Sequence, residues 1–214
     1  MAVQNHSFVL FMEGGGWCTS AVDCVSRTQT SLGSSHAWAP SKDIPGSSSM
    51  FDGAASRSGL AAEFASKTLV SFQYCDGASF AGERSVFLTA AHGSVRMGKQ
   101  LHAQGSRLHL AFSGRSILLE ALERLLALGM SDATDVLLSG CSAGGLAALL
   151  AADTIYDLLV AAGAPLRRFK LALFSGNLSS ARRLAICAPD AHDLRACQHE
   201  RPRCVHPLLC ALRG

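Results

Sequence analysis

One serine stands where its neighbours would make it a nucleophile. In Asp135-Val-Leu-Leu-Ser-Gly-Cys-Ser-Ala-Gly-Gly-Leu-Ala-Ala-Leu-Leu150 an apolar run leads into Gly140-Cys-Ser-Ala-Gly144, and a small-residue helical pattern follows at once. G-x-S-x-G between a strand and a helix is the pattern of a nucleophile elbow. A serine on such a turn has its hydroxyl pushed clear of the sheet, and only small neighbours let the helix pack that close to the strand. Ser142 is therefore the candidate nucleophile, and the N–H of Ala143 at the helix start is a candidate oxyanion donor. The rival chemistry is phosphate or dinucleotide binding, which also uses glycines between a strand and a helix. The order here is Gly-x-x-x-Gly-Gly instead of G-x-G-x-x-G, and no strand ending in an acidic residue follows about twenty positions on.

Two further stretches carry chemistry-bearing residues at the ends of strands. Glu13-Gly-Gly-Gly-Trp-Cys18 follows the β-rich run Ser7–Met12. It reads either as a flexible turn or as a loop whose backbone N–H groups turn toward a ligand; beside an elbow serine, the second reading is favoured as the other half of an oxyanion hole. Tyr74-Cys-Asp-Gly-Ala-Ser-Phe-Ala-Gly82 follows the run Lys67–Tyr74. Asp76 and Gly77 are candidates for a pocket wall there, with Asp76 orienting a site residue, although an Asp-Gly turn accounts for the same pair. Cys18 and Cys24 are spaced for a local disulfide, whereas a metal pair would favour C-x-x-C.

The elements that must position these residues are legible from periodicity. Residues 7–12, 67–74, 107–112, 136–138 and 169–174 read as strands. Ile117, Leu118, Ala121, Leu122, Leu125 and Leu126 predict an amphipathic helix ending at Gly129, with Glu120, Glu123 and Arg124 on its solvated face. A second helix is expected from about Ala143 to Ala162. Residues 26–58, rich in Ser, Gly and Pro, read as a long ordered loop beside the site. The order of strands and helices predicts a doubly wound α/β fold with a mostly parallel sheet.

At 214 residues and 49% apolar composition the chain can bury one sizeable core. A net charge of +3 is too small to imply a nucleic-acid partner. No run of eighteen apolar residues occurs, so no membrane span is expected. Eight cysteines suggest disulfides and an oxidising compartment, and the sequons Asn5-His-Ser7 and Asn177-Leu-Ser179 are compatible with secretion. Residues 2–12 lack the features of a signal peptide.

Phe11-Met-Glu-Gly-Gly-Gly-Trp-Cys18, Leu32-Gly-Ser-Ser35, Tyr74–Gly82 and Leu137–Ala147, with Asp153 after them, together resemble the pectin acetylesterase family, which also includes the animal Notum carboxylesterases. The resemblance covers roughly residues 7–174. It implies an α/β-hydrolase-like three-layer sandwich, incomplete at the C-terminus, and a Ser–Asp–His triad acting on carboxylic esters. By this resemblance Ser142 matches the nucleophile, and Ala143 with the Gly16–Trp17 loop matches the oxyanion donors. It further implies a secreted, cell-wall hydrolase that removes acetyl groups from pectin, or cleaves another small ester, with no metal or organic cofactor; a monomer is expected.

The departures from the family begin after the second helix. Phe169–Asn177 differs from the family's segment, and 72 positions remain after Ser142, where the family's Asp and His lie farther downstream. No acid or base position carries over. His92, His102 and His109 precede the serine and read as surface or core residues. Asp190, His192 and His199 could rebuild a triad only by geometry. Residues 1–180 thus read as a partial family domain and 181–214 as an atypical Arg-, Cys-, His- and Pro-rich tail outside the family fold. The favoured reading of that tail is a mispredicted or frame-shifted gene end, with truncation at the start as well. Its Cys and His residues, Cys187 to Cys210, lack the spacing of a zinc frame, so no metal site is assigned. Two functions follow: a serine carboxylesterase, or a non-catalytic, carbohydrate-binding version of the same fold.

Overall fold

The computed structural model describes residues 6–40, 66–89, 95–97, 100–102 and 107–174. Its strands are β1 (Ser7–Met12), β2 (Thr68–Phe72), β3 (Arg84–Thr89), β4 (Val95–Met97), β5 (Gln100–His102), β6 (Arg107–Phe112), β7 (Asp135–Cys141) and β8 (Arg168–Phe174). Its helices are α1 (Ala21–Arg27), α2 (Gly114–Ala127) and α3 (Ala143–Ala161).

β1, β2, β7 and β8 form one parallel sheet in the order β2-β1-β7-β8. These are the short apolar runs of the sequence, as strands covered by the core should be. The pleat divides β1 between two faces. Phe8, Leu10 and Met12 join Val136 and Leu138 against the helices, whereas Val9 and Phe11 pack with Leu69 and Leu137 on the opposite side. The one polar side chain inside β7, Ser139, donates to the Ala172 carbonyl at 2.8 Å and so leaves no unmet group.

Both long helices lie on the Leu10–Leu138 face. α2 inserts Leu118 and Leu122, and α3 inserts Ala147, Ala148, Ala151, Ile155 and Leu159. Burying each Leu removes apolar area worth about 1.5–3 kcal/mol. Their shared face follows from connectivity: the crossovers into and out of β7 run in the same direction along the sheet, and right-handed crossovers in one direction stack on one side. Among the described residues, the helical layer covers this face alone. Glu120, Glu123 and Arg124 are exposed as expected, but Ile117 is half-exposed too. It lies at the rim of a stripe centred on Leu118 and Leu122.

α3 grades from small to large along its buried side. Gly144, Ala147, Ala148 and Ala151 occupy its first half, and Ile155 and Leu159 its second. The helix is 19 residues long with a mean hydropathy of 1.5, which by length and composition is enough to cross a membrane. The expectation from run length therefore needs this correction: Asp153 and Asp157 interrupt the run without lowering its mean hydropathy far. In the fold its buried stripe is committed to the sheet.

Three features depart from the reading of the sequence. Ala21–Arg27 is helical, so Ser26 and Arg27 leave the long loop assigned to 26–58; the rest of that stretch within 28–40 holds a short 3-10 turn, Ser35–Ala37. Ser20 caps α1 by accepting from the Asp23 N–H at 3.2 Å, and Asp23 accepts in return from the Thr19 N–H at 2.9 Å. β3 pairs antiparallel with β6 outside the main sheet, with Leu88, Leu108, Leu110 and Phe112 turned toward Val25 of α1. β4 and β5 make a further short antiparallel pair. The domain boundary near residue 180 and the whole 181–214 stretch lie outside the described residues.

Candidate active site

β1 and β7 are neighbours in register, with Met12 beside Gly140, so both strands end at the same level. Their continuations then part: β1 leads to β2 on one side and β7 leads to β8 on the other. Open parallel sheets bind ligands at the carboxyl ends of strands where the connections diverge in this way. The glycine loop and the Ser142 turn are the two exits that flank this point.

Ser142 sits between the last residue of β7 and the first of α3, at φ 55° and ψ −122°. For a residue with a Cβ this backbone costs on the order of 1–2 kcal/mol and persists only where the surroundings force it. Its carbonyl starts the helix, accepting from the N–H groups of Gly145 at 3.0 Å and Leu146 at 3.2 Å. Ser142 is the residue at the helix cap, but unlike Ser20 and Ser34 its side chain makes no capping hydrogen bond. The residue is exposed. A hydroxyl not used in capping thus stands at the positive end of a 19-residue helix. Ala143, the next residue, is fully buried, and its N–H is among the first-turn donors that a helix cannot pair internally.

Close approach of two loops explains the glycines. A Cβ on Gly14 would fall on the Cys141 carbonyl oxygen and lie 3.2 Å from the Ser142 Cβ. A Cβ on Gly144 would fall on the Met12 carbonyl oxygen, with that of Glu13 at 2.6 Å. The exit of β1 and the first turn of α3 are therefore in backbone contact. Gly16 adopts φ +69°, a left-handed conformation that glycine enters without strain, and faces open space.

Behind the glycine loop lies a hydrogen-bonded brace. The Tyr74 hydroxyl donates to the Gly16 carbonyl at 2.8 Å and accepts from the Ser79 N–H at 3.0 Å. The Trp17 indole N–H donates to the Ser79 hydroxyl at 2.7 Å, which leaves the ring 50% exposed beside the loop. Arg27 donates to the Gly15 carbonyl at 2.7 Å and to the Leu32 carbonyl at 2.9 Å, its guanidinium 5.3 Å from the centre of the Tyr74 ring. The Cys18–Cys24 disulfide joins the end of the loop to α1. Asp76 and Gly77 stand in this brace: Asp76 is buried and accepts from the N–H groups of Ala78, Phe80 and Gly82, and the Gly77 carbonyl accepts from the Cys18 N–H at 3.3 Å. Asp76 holds its own turn, and Arg27 is directed at Gly15 and Leu32.

Among the described residues, neither free thiol competes as a nucleophile on the same terms. Burial, and then the Asp76 charge, push the Cys75 thiol up, so it stays protonated. Cys141 is exposed but precedes the turn residue.

Among the described residues, no histidine is hydrogen-bonded to Ser142. His6 donates from Nδ1 to the Asp132 carbonyl at 2.9 Å, at the opposite end of β1 and roughly 20 Å from the elbow by strand length. His109 stacks on Phe87 at 4.7 Å on the outer face of β6. His36 lies in the exposed 3-10 turn. His92, Asp190, His192 and His199 fall outside the described residues, as do the side chain of His102 and the cysteines from Cys187 to Cys210. Among the described residues, no three His, Cys, Asp or Glu side chains gather as a metal site would need.

The residues that sequence reasoning passed over are Arg27, Tyr74 and Ser79. Only Arg27 had a local signal: Ser20-x-x-Asp23 is a helix-start pattern, and the helix it begins delivers Arg27 to the loop.

A model of the pectinacetylesterase family matches residues 2–167. The chain belongs to the pectinacetylesterase family. Pectin acetylesterase 5 of Arabidopsis thaliana is 35% identical over 155 residues, covering 72% of this chain and 31% of that protein. Pectin acetylesterase 11 of the same plant is 34% identical over 154 residues, covering 72% and 34%. The palmitoleoyl-protein carboxylesterase notum1' of Xenopus laevis is 30% identical over 163 residues, covering 75% and 28%. The chain spans about a third of the length of these curated relatives. The family match takes in the glycine loop, the Tyr74–Gly82 turn and the Ser142 elbow.

Proposed function

We propose that this pectinacetylesterase-family chain is a serine carboxylesterase that removes acetyl groups from an acetylated polysaccharide such as pectin, or from another small ester. The observation that carries this reading is the backbone of Ser142, held at φ 55° between strand and helix with its hydroxyl spared from capping. Ser142 attacks the acetyl carbonyl, and the N–H groups of Ala143, Gly16 and Trp17 hold the oxyanion. The alcohol leaves and water hydrolyses the acetyl-enzyme. A general base has to come from a side chain that the structure does not describe, and His92, His102, His192, His199 and His206 are the histidines of that kind. The reading calls for no metal or organic cofactor and no nucleic-acid or membrane partner, and it takes the chain as a monomer. Secretion to the cell wall fits the Cys18–Cys24 disulfide, since such bonds persist in oxidising compartments.

The second reading, a non-catalytic, carbohydrate-binding member of the family, is favoured by one observation: the described histidines make their contacts away from Ser142. Acetate release from acetylated pectin and from a small acetyl ester, with Ser142→Ala alongside, separates the two. Release that depends on Ser142 supports the esterase; saccharide binding without release supports the second reading.

A further inference from the structure

We propose that Tyr74 and Arg27 are positioning residues that aim the two loop N–H groups of the oxyanion hole, an inference that rests on the reading of Gly16 and Trp17 as oxyanion donors. The geometry comes from the planarity of the trans peptide, in which the C=O of one residue and the N–H of the next point in opposite directions. Arg27 holds the Gly15 carbonyl at 2.7 Å, which turns the Gly16 N–H the other way. Tyr74 holds the Gly16 carbonyl at 2.8 Å, which turns the Trp17 N–H the other way. Each loop donor of the proposed hole is thus fixed through the opposite end of its own peptide.

This control is needed because Gly16 is in left-handed space with nothing near its α-carbon. A glycine so placed crosses between backbone wells cheaply, and a loop of three glycines has no side chain to stop it. The brace that stops it is itself built against strain. Ser79 and Phe80 both adopt positive φ, 54° and 56°, without being glycine. They are kept there by Asp76, which accepts from the Phe80 N–H at 3.1 Å, and by the Tyr74 hydroxyl, which accepts from the Ser79 N–H at 3.0 Å. The strained turn delivers its contacts to one place: Ser79 to the Trp17 indole and Gly77 to the Cys18 N–H. Strain of this kind, of order 1–3 kcal/mol per residue, collects at sites where a geometry has to be imposed. Burial pushes the Tyr74 phenol up, so its hydroxyl remains a donor to Gly16 at neutral pH.

The test uses the full chain and the conservative change Tyr74→Phe, which removes the hydroxyl and keeps the buried ring. Hydrolysis of p-nitrophenyl acetate is expected to lose about 10- to 100-fold in kcat with KM within about twofold, because oxyanion contacts strengthen in the transition state. Arg27→Lys, which cannot reach two carbonyls with one planar fork, is expected to lose kcat in the same manner but less. A purely structural role would lower thermal stability in either variant and leave kcat unchanged, and that result overturns the proposal. A readout without turnover keeps the test separate from the esterase reading: the backbone amide resonances of Gly16 and Trp17 are expected to shift or broaden in Tyr74→Phe. Resonances that stay in place in a folded Tyr74→Phe protein would overturn the positioning role even where the wild-type chain hydrolyses the ester. A wild-type chain without Ser142-dependent hydrolysis, with those resonances displaced by the substitution, would sink the esterase reading and leave the positioning intact.

Discussion

Ser142 holds its backbone in a region that favours glycine, and that strain has a measurable consequence. Ser142→Gly removes the Cβ that makes φ 55° unfavourable, whereas Ser142→Ala keeps it. Ser142→Gly is expected to be more stable than Ser142→Ala by about 1 kcal/mol, less than the full strain because glycine also widens the unfolded ensemble. Urea denaturation of the two variants checks this. Equal stabilities, or a less stable Ser142→Gly, would mean that the turn is unstrained. Ser142 itself was legible because its motif is contiguous in sequence. Tyr74 and Ser79 were not. Their partners Gly16 and Trp17 lie about sixty positions away, and no local pattern signals that a non-glycine serine or phenylalanine will take a positive φ.

Elements were read best where one periodicity dominated. β1, β7 and β8 are short apolar runs, and α2 repeats its leucines at helical spacing, so burial and pattern agreed. α1 was obscured by the cysteine pair at its start, which explains the same residues as a disulfide loop. β3 was obscured because Val86 and Phe87 are both exposed, at 40% and 61%, and only Leu88 is partly buried, so no alternation marks the strand. Within the main sheet, β7 and β8 are tied at their starts by Asp135 and Arg168. Burial works against ionising the Asp135 carboxyl, but its hydrogen bonds from Arg168 and Thr134 together outweigh this and hold it below the ordinary carboxylate range. A lowered folded pKa contributes stability that is fully present above the unfolded value, near 3.9, and is lost as pH falls through the folded value. Because Arg168 is largely exposed, the contribution is small. Asp135→Asn is expected to lose roughly 0.5 kcal/mol at pH 7, with the difference from wild type shrinking below about pH 4. A difference that grew on acidification, followed by denaturant midpoints across that range, would contradict the pairing.

For the molecule as a whole, the sheet order puts the divergence point between β1 and β7, and the loops gathered there come from three separated parts of the chain. The disulfide between Cys18 and Cys24 fastens one of them. Closing so short a loop is worth about 2 kcal/mol by chain entropy. The double variant Cys18→Ser/Cys24→Ser is expected to lose about that much, seen as a lower thermal midpoint, and to lose ester hydrolysis ahead of global unfolding on heating. Coincident loss of activity and fold would mean that the loop does not depend on the bond. The account as a whole stands on Ser142 acting as a nucleophile, and one comparison reaches it directly: acetate release from a small acetyl ester by the wild-type chain and by Ser142→Ala. The account predicts release by the wild type that falls to the uncatalysed background in Ser142→Ala. Release that is equal in the two proteins, or absent from both, would contradict it.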